Sequence, residues 1–287
     1  MEVFIAISFF SNGGGINRWR SLAGRLAQEF ALAQTGCRKA KAGRCQRPTH
    51  ERNKGLALDR SLIARLPLFK GLAAAELDEM LRGARSVRYP KESAVFEQEA
   101  EAHSFFVLLD GHIRVVRTTP EGHQVIVRYI SEGEIFGVAA ALGRTTYPAS
   151  AIAAVDCVAL VWPNALWSEL SLRFPSFGAN TYKTVGSRLQ ETHTRVVELS
   201  TEQVEQRVAH ALLRLVNQTG QKTDQGIEID FPISRQDIAE MTGTTLHTVS
   251  RLLSAWEERG LIVSGRQKVT VKDPHALVVL AEHRDRR

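Results

Sequence analysis

The sequence predicts a mixed α+β chain: an antiparallel β-roll, one long helix behind it, and a compact set of short helices closed by a β-hairpin. Three observations predict this. Between Ser86 and Trp162 apolar residues come in short runs separated by turn residues. After Pro175 the apolar spacing changes to the 3.6-residue period of a helix. From Ser234 to Gly260 two short helical patterns flank a single glycine.

A chain of 287 residues with 44% hydrophobic content is long enough for two domains, each with its own core. No apolar run approaches the roughly 18 to 20 residues of a membrane span. The Phe-rich start MEVFIAISFF carries Glu2 where a secretion signal carries positive charge, so a cytoplasmic chain without membrane contact is expected. Three cysteines cannot build a disulfide framework and fit a reducing compartment. Cys37, Cys45 and His50 match no common zinc or iron–sulfur spacing, so no metal site is expected. The net charge of +6 is unevenly placed. Residues 1–60 hold eleven Lys/Arg against four Asp/Glu, leaving the remainder near −1. Bulk charge therefore argues little for nucleic acid, and any such reading must rest on local geometry.

Residues 1–57 mix SNGGG with scattered arginines and read as a disordered basic arm or a translated leader ahead of the true start. Residues 58–174 form the expected β-roll sensor domain. It opens on LALDRSLIARLPLFKGLAAAELDEMLRGA, whose apolar residues have helical spacing broken at Pro67 and Gly71. The runs FFVLL, HIRVVRT, QVIVRYI, SAIAAV and CVALVW are its strands, with Gly111, Gly122 and Gly133 at chain reversals. In QVIVRYI simple alternation puts Val125, Val127 and Tyr129 on one face and Ile126, Arg128 and Ile130 on the other. Both faces are then largely apolar, which suits a closed roll. Residues 175–199 predict a helix of about 24 residues, roughly 36 Å long. Its stripe of Phe177, Val185, Leu189, Val196 and Leu199 is interrupted by Thr181, Thr184 and Thr192. Such a seam suits a partner helix, a dimerisation contact, while packing along its own β domain is the alternative. In residues 200–287, Ser200 and Gln203 fit a capping box restarting the chain as a helix that carries Val204, Val208, Leu212 and Leu215 and ends at Gly220.

Within that last segment Ser234 is placed to cap a helix from Arg235, with Asp237 in its first turn and Ile238 and Met241 facing inward. Gly243 permits a sharp turn. Thr245 then caps a second helix whose Val249, Leu252, Leu253 and Trp256 repeat at i, i+3, i+4, i+7, leaving Leu246, His247, Ser250 and Arg251 outside. Gly260 ends it and LIVSGRQKVTV reads as a hairpin, so the whole is a winged helix-turn-helix. This shape places its second helix in the DNA major groove. Arg251 can fork to guanine O6 and N7, and His247 and Ser250 can reach neighbouring bases. Thr245, Thr248, Arg266 and Lys268 are placed for phosphates.

The order of roll, long helix and winged helix, with DIAEMTGTTLHTVSRLLSAWEERG, resembles the Crp/Fnr family of bacterial transcription regulators over roughly residues 60–275. The resemblance implies a cyclic-nucleotide-binding-domain-like jelly roll and a homodimer joined through the long helix. It also implies a near-palindromic operator read by one helix per half-site, with RNA polymerase as a further partner. The Fnr-like branch reads DNA with Glu-x-x-Ser-Arg. Here His247 stands in place of that Glu, followed by Thr248, Val249, Ser250 and Arg251, so the usual half-site does not simply carry over. Cyclic-nucleotide-binding members carry Gly-Glu for the ribose and an Arg for the phosphate. In IFGVAAALGRTTYPASAIAA, Val138 and Pro148 fall on those positions, and Arg144 lies off the expected slot. An unpaired buried phosphate costs several kcal/mol, so no cyclic-nucleotide binding in the usual mode is expected. The effector pocket is placed at Phe136, Val138, Tyr147 and Pro148.

The oxygen-sensing members' cysteine group is not matched by Cys37, Cys45 and Cys157. A small-molecule, haem or nitric oxide binding sensor whose DNA role is secondary, with His103, His112 or His123 as candidate haem ligands, is an alternative, as is a cupin-like metal enzyme on the roll. That enzyme needs two or three His or Glu side chains converging inside strands that offer mostly Val, Ile, Leu and Phe. No catalytic residue, cofactor or metal ligand is therefore assigned.

Overall fold

The computed structural model describes residues 60–282. The 1–57 arm, with Cys37, Cys45 and His50, lies outside them. A turn of helix at Arg60–Ile63 and helix α1 (Ala74–Arg82) lead into eight strands. These are β1 (Arg85–Tyr89), β2 (Ala94–Phe96), β3 (Ser104–Asp110), β4 (Ile113–Thr118), β5 (Gln124–Ile130), β6 (Ile135–Phe136), β7 (Ser150–Ala153) and β8 (Cys157–Pro163). They make two four-stranded sheets ordered β1-β8-β3-β6 and β2-β7-β4-β5. All pairings are antiparallel. Gly111, Gly122 and Gly133 have φ of 92°, 85° and 79°, as their turn positions require.

The alternation expected for β5 is broken. Val115 pairs with Arg128 but Val116 with Ile126, leaving Val127 as the extra residue of a β-bulge. The bulge moves Ile126 off the face of Ile130 and onto that of Tyr129. Ile130 stays in the roll interior with Phe106, Leu108 and Ile113. Ile126 and Tyr129, with Val116 and Ala154, belong instead to the buried cluster that holds Phe231, Ile238 and Ala239 of the C-terminal segment. The second apolar face of β5 is therefore covered by another part of the chain, not used to close the roll. Tyr129 and His112 both pack on Phe231, at ring-centroid distances of 4.5 and 4.6 Å.

After α2 (Trp167–Arg173) the long helix α3 runs Pro175–Thr201, with proline at its first position where no backbone donor is lost. Its first turns bury Phe177 and Thr181 against the roll. Beyond them Tyr182, Leu189 and Val196, seven residues apart, are 55%, 56% and 56% exposed, and Leu199 is 52% exposed. The helix thus packs one face on its own β domain, as far along as Arg188 on the Ile135 carbonyl and Arg195 on the Val127 carbonyl, and leaves an apolar seam uncovered on the other. The Ser200–Gln203 capping box does not form. Ser200 lies inside α3 and donates to the Val196 carbonyl, as Thr181, Thr184 and Thr192 do to carbonyls four residues back. Helix α4 (Val204–Thr219) is capped by Gln203, whose N–H donates to Gln206 Oε1 at 2.9 Å. A hairpin missed by the pattern reading follows, β9 (Gly220–Thr223) with β10 (Gly226–Ile229). It joins a third sheet ordered β11-β12-β10-β9 with β11 (Ile262–Gly265) and β12 (Lys268–Val271). Among the described residues no helix is long and apolar enough to cross a membrane.

Candidate nucleic-acid interface and sensor interior

Helices α5 (Arg235–Thr242) and α6 (Leu246–Glu258) form where local chemistry marks their ends. Ser234 Oγ accepts from the Asp237 N–H at 3.0 Å, and Asp237 Oδ2 accepts from the Ser234 N–H at 2.7 Å, a reciprocal cap. Gly243 takes φ 61°, left-handed backbone that a side chain disfavours. Thr245 Oγ1 accepts from the Thr248 N–H at 3.2 Å and lies 2.9 Å from the Thr248 hydroxyl. Both threonine hydroxyls are thus engaged in holding the helix start.

The inner face of α6 is pinned by Val249, Leu253 and Trp256, all buried. Trp256 Nε1 donates to Glu205 Oε1 at 3.0 Å, which fixes the helix against α4. On the outer face Leu246, His247 and Arg251 are exposed and Ser250 half-buried. His247 and Arg251, four apart, point the same way. The hairpin β11–β12 turns at Arg266 and Gln267, and Arg266 and Lys268 are exposed. Arg235 donates to Ser264 Oγ at 3.1 Å and Glu257 accepts from the Ser264 N–H at 3.0 Å. These bonds hold the wing and the helix pair in a fixed relation. Lys268 Nζ sits 2.9 Å from Glu228 Oε2, so part of its charge is already balanced.

The first helix of the pair is docked on the roll. Arg114 reaches Asp237 at 3.5 Å while holding Glu92 at 2.5 Å, and Gln218 donates to the Tyr129 carbonyl at 3.1 Å. This docking leaves the outer face of α6 open.

The four residues expected to line an effector pocket do not share one. Phe136 and Tyr147 meet through Phe96, which stacks on Tyr147 at 3.8 Å and lies 6.1 Å from Phe136. Phe106 adds a ring 5.0 Å from Phe136. Tyr147 donates to the Ser104 carbonyl at 2.6 Å, so its hydroxyl is satisfied within the roll. Val138 belongs to a different cluster with Phe105, Leu160 and Trp162, and Pro148 and Arg144 are exposed. Gly137 at φ 68° is wedged against the rings, where a Cβ would lie 2.8 Å from Phe106. Phe96 and Phe106 lie 39 and 29 residues ahead of the segment that suggests the pocket, beyond the reach of a local motif.

The candidate haem ligands are dispersed. His103 is exposed, 3.1 Å from Glu101; His112 packs on Phe231; His123 sits in the β4–β5 turn. Among the described residues no group of three or more His, Cys, Asp or Glu is arranged to hold a metal ion. Cys157 is buried, and its thiol donates to the His112 carbonyl at 3.2 Å. Burial pushes that thiol up to about 11.

Residues 206–280 match the Crp-like helix-turn-helix domain and residues 86–173 the cyclic nucleotide-binding domain. The cyclic AMP receptor protein of Thermus thermophilus is 31% identical over 215 residues, covering 75% of this chain and 96% of that protein. The chain belongs to the Crp/Fnr family. It is therefore a DNA-binding transcription regulator with an effector-type β-roll. The nitrogen fixation regulation protein FixK of Bradyrhizobium diazoefficiens is 28% identical, covering 73% of this chain and 87% of that one. The solved structure of FixK2 from Bradyrhizobium japonicum superposes with a TM-score of 0.63 at 20% identity, over 70% and 98% of the two chains, and supports the Crp/Fnr fold alone.

Proposed function

We propose that two copies of this regulator join through α3 and read a near-palindromic operator, one α6 per half-site. The observation that carries the reading is the two-sidedness of α6: its inner face is fixed by Val249, Leu253 and Trp256 while His247 and Arg251 stand exposed. Arg251 is assigned to a guanine edge, and His247 and Ser250 to neighbouring bases. Arg266 and Lys268 on the wing, with Thr245 and Thr248 at the start of α6, meet the backbone, and Leu246 stands with His247, Ser250 and Arg251 on the DNA-facing side. Supporting the dimer is the uncovered Tyr182–Leu189–Val196 seam, whose seven-residue repeat suits a coiled coil. The division of labour follows the chain, with 58–174 as sensor, 175–199 as dimerisation helix and 200–287 as DNA reader. The assignment carries a cytoplasmic location, RNA polymerase as a further partner and no catalytic role.

The Thermus relative is by name a cyclic AMP receptor. We infer that this chain does not take a cyclic nucleotide in that way. Val138 and Pro148 supply neither charge a ribose phosphate needs, and the roll interior is occupied by the Phe96, Phe106, Phe136 and Tyr147 rings. The functional proposal is tested by selecting bound DNA from a random pool with the full chain. Enrichment of a two-fold-symmetric sequence supports it, and recovery of no common sequence overturns it.

A further inference from the structure

The winged helix is joined to the long helix by two residues. Helix α3 ends at Thr201 and α4 begins at Val204, with Glu202 and Gln203 between them in extended backbone at φ −106° and −70°. Such a joint can turn about its soft backbone dihedrals, so the angle between the helices is set by contacts that cross it. Arg214 holds both oxygens of Glu198, and His210 stands 3.4 Å from Glu202, which ties α4 to the end of α3. Arg207 reaches further.

Arg207 is half-buried at the fourth position of α4. Its Nη1 donates to the Glu202 carbonyl at 2.9 Å and its Nε to the Thr242 carbonyl at 3.1 Å. Both acceptors sit at helix C-termini, Glu202 just past α3 and Thr242 at the last position of α5, where carbonyls lack a partner inside the helix and the dipole is negative. One guanidinium answers both ends, and its planar fork fixes the distance between them. Thr242 is itself held, buried with its hydroxyl donating to the Ile238 carbonyl at 2.7 Å. The turn at Gly243 follows at once and leads into α6. Leu199 of α3 touches the same turn, where a Cβ on Gly243 would lie 3.5 Å from its Cδ2. Glu205, two residues before Arg207, separately holds Trp256 of α6. The end of α3, the start of α4 and the launch of α6 are thus bonded into one block.

We propose that Arg207 is a positioning residue for DNA binding: by bracing α5 on the joint it fixes how far apart a dimer presents its two α6 helices, and hence the half-site spacing the regulator accepts. The inference rests on the dimeric reading above and adds to it a residue that touches no DNA. Half-sites read by such a pair lie about one duplex turn apart, so one base pair more or less moves a site by about 3.4 Å and turns it by about 35°. A braced dimer cannot follow that change. A dimer free to swing at Glu202 and Gln203 can.

The test is fluorescence polarisation of the full chain on the operator recovered by pool selection, and on versions with one or two base pairs added to or removed from its centre. Wild type should bind the selected spacing best and lose about tenfold for one base pair either way, the scale of a misplaced contact. Arg207→Met keeps the apolar stem and removes the donors. It should flatten that profile while discrimination between bases inside each half-site stays as in wild type. Thermal unfolding is recorded alongside. Arg207→Lys keeps the charge without the planar fork and should flatten the profile as well, which preserves the test where the methionine variant is unstable. A profile as sharp as wild type in either folded variant would overturn the proposal, and so would a loss equal at every spacing. Wild type indifferent to spacing would instead contradict the two-fold reading, and the proposal with it.

Discussion

Leu189→Glu is the sharpest probe of how the long helix is used. Burying a whole leucine side chain contributes about 1.5 to 3 kcal/mol. Leu189 is 56% exposed, so covering the remainder in a dimer contributes about 1 kcal/mol per copy, or about 2 for a symmetric pair. The substitution removes that and sets two carboxylates across the two-fold axis. At a contact near the surface their repulsion adds about 1 to 2 kcal/mol. The sum, about 3 to 4 kcal/mol, corresponds to a dimer weakened by roughly 10² to 10³. Sedimentation equilibrium over a dilution series measures it. Gln190→Glu, exposed one residue off the seam, brings the same added charge and should leave the dimer nearly unchanged. If both variants dissociate alike, or neither does, the seam is not the contact and the argument from its heptad spacing fails.

Three further outcomes are expected. Gly137→Ala forces a Cβ against Phe106 at a positive φ and should lower stability by about 2 kcal/mol or more in denaturant titration, without altering dimerisation. Calorimetry with cyclic AMP should show no micromolar binding, and a saturable micromolar isotherm would contradict the reading of Val138 and Pro148. Cys157 should resist maleimide in the folded protein at neutral pH. Because its folded value of about 11 lies above the ordinary thiol value of 9.0, the thiol is the favoured folded form. Its contribution to stability is then complete below about pH 9 and is lost as pH rises toward 11. Urea titrations of wild type and Cys157→Ala should therefore converge over that window, while parallel curves would contradict it.

The parts of the fold that the sequence made legible are those with local signals. Ser234 and Asp237, Gly243 and Thr245 each mark a helix end by their own side chain or backbone, and all behave as the pattern requires. The strand runs between Ser86 and Trp162 are legible for the same reason, since a short apolar run bounded by turn residues needs no partner to be seen. What was not legible depends on distant partners. No residue in QVIVRYI announces the bulge at Val127, which is set by its pairing with β4 and reverses the side of Ile126. Ser200 and Gln203 satisfy the capping pattern, yet Ser200 lies inside α3, where its hydroxyl donates to the Val196 carbonyl and is not free to cap. The sensor quartet followed a motif register along one segment, whereas Phe96 and Phe106 complete the ring cluster from other strands. Arg128 and Arg188 meet at Glu134 across 60 positions, a distance at which spacing carries no information.

Sequence reading by α6 turns on what Arg251 contacts. The deciding measurement is fluorescence polarisation of wild type and Arg251→Ala on the selected operator and on operators altered at each half-site base pair, at fixed salt. Arg251→Ala should lose about 1 to 3 kcal/mol on the intact operator and no longer distinguish the base at one position per half-site. Lys268→Ala, its charge already shared with Glu228, should lose less and lose it on every sequence. Equal losses for Arg251→Ala on all operators, with discrimination intact at every position, would contradict the assignment of α6 as the reading helix.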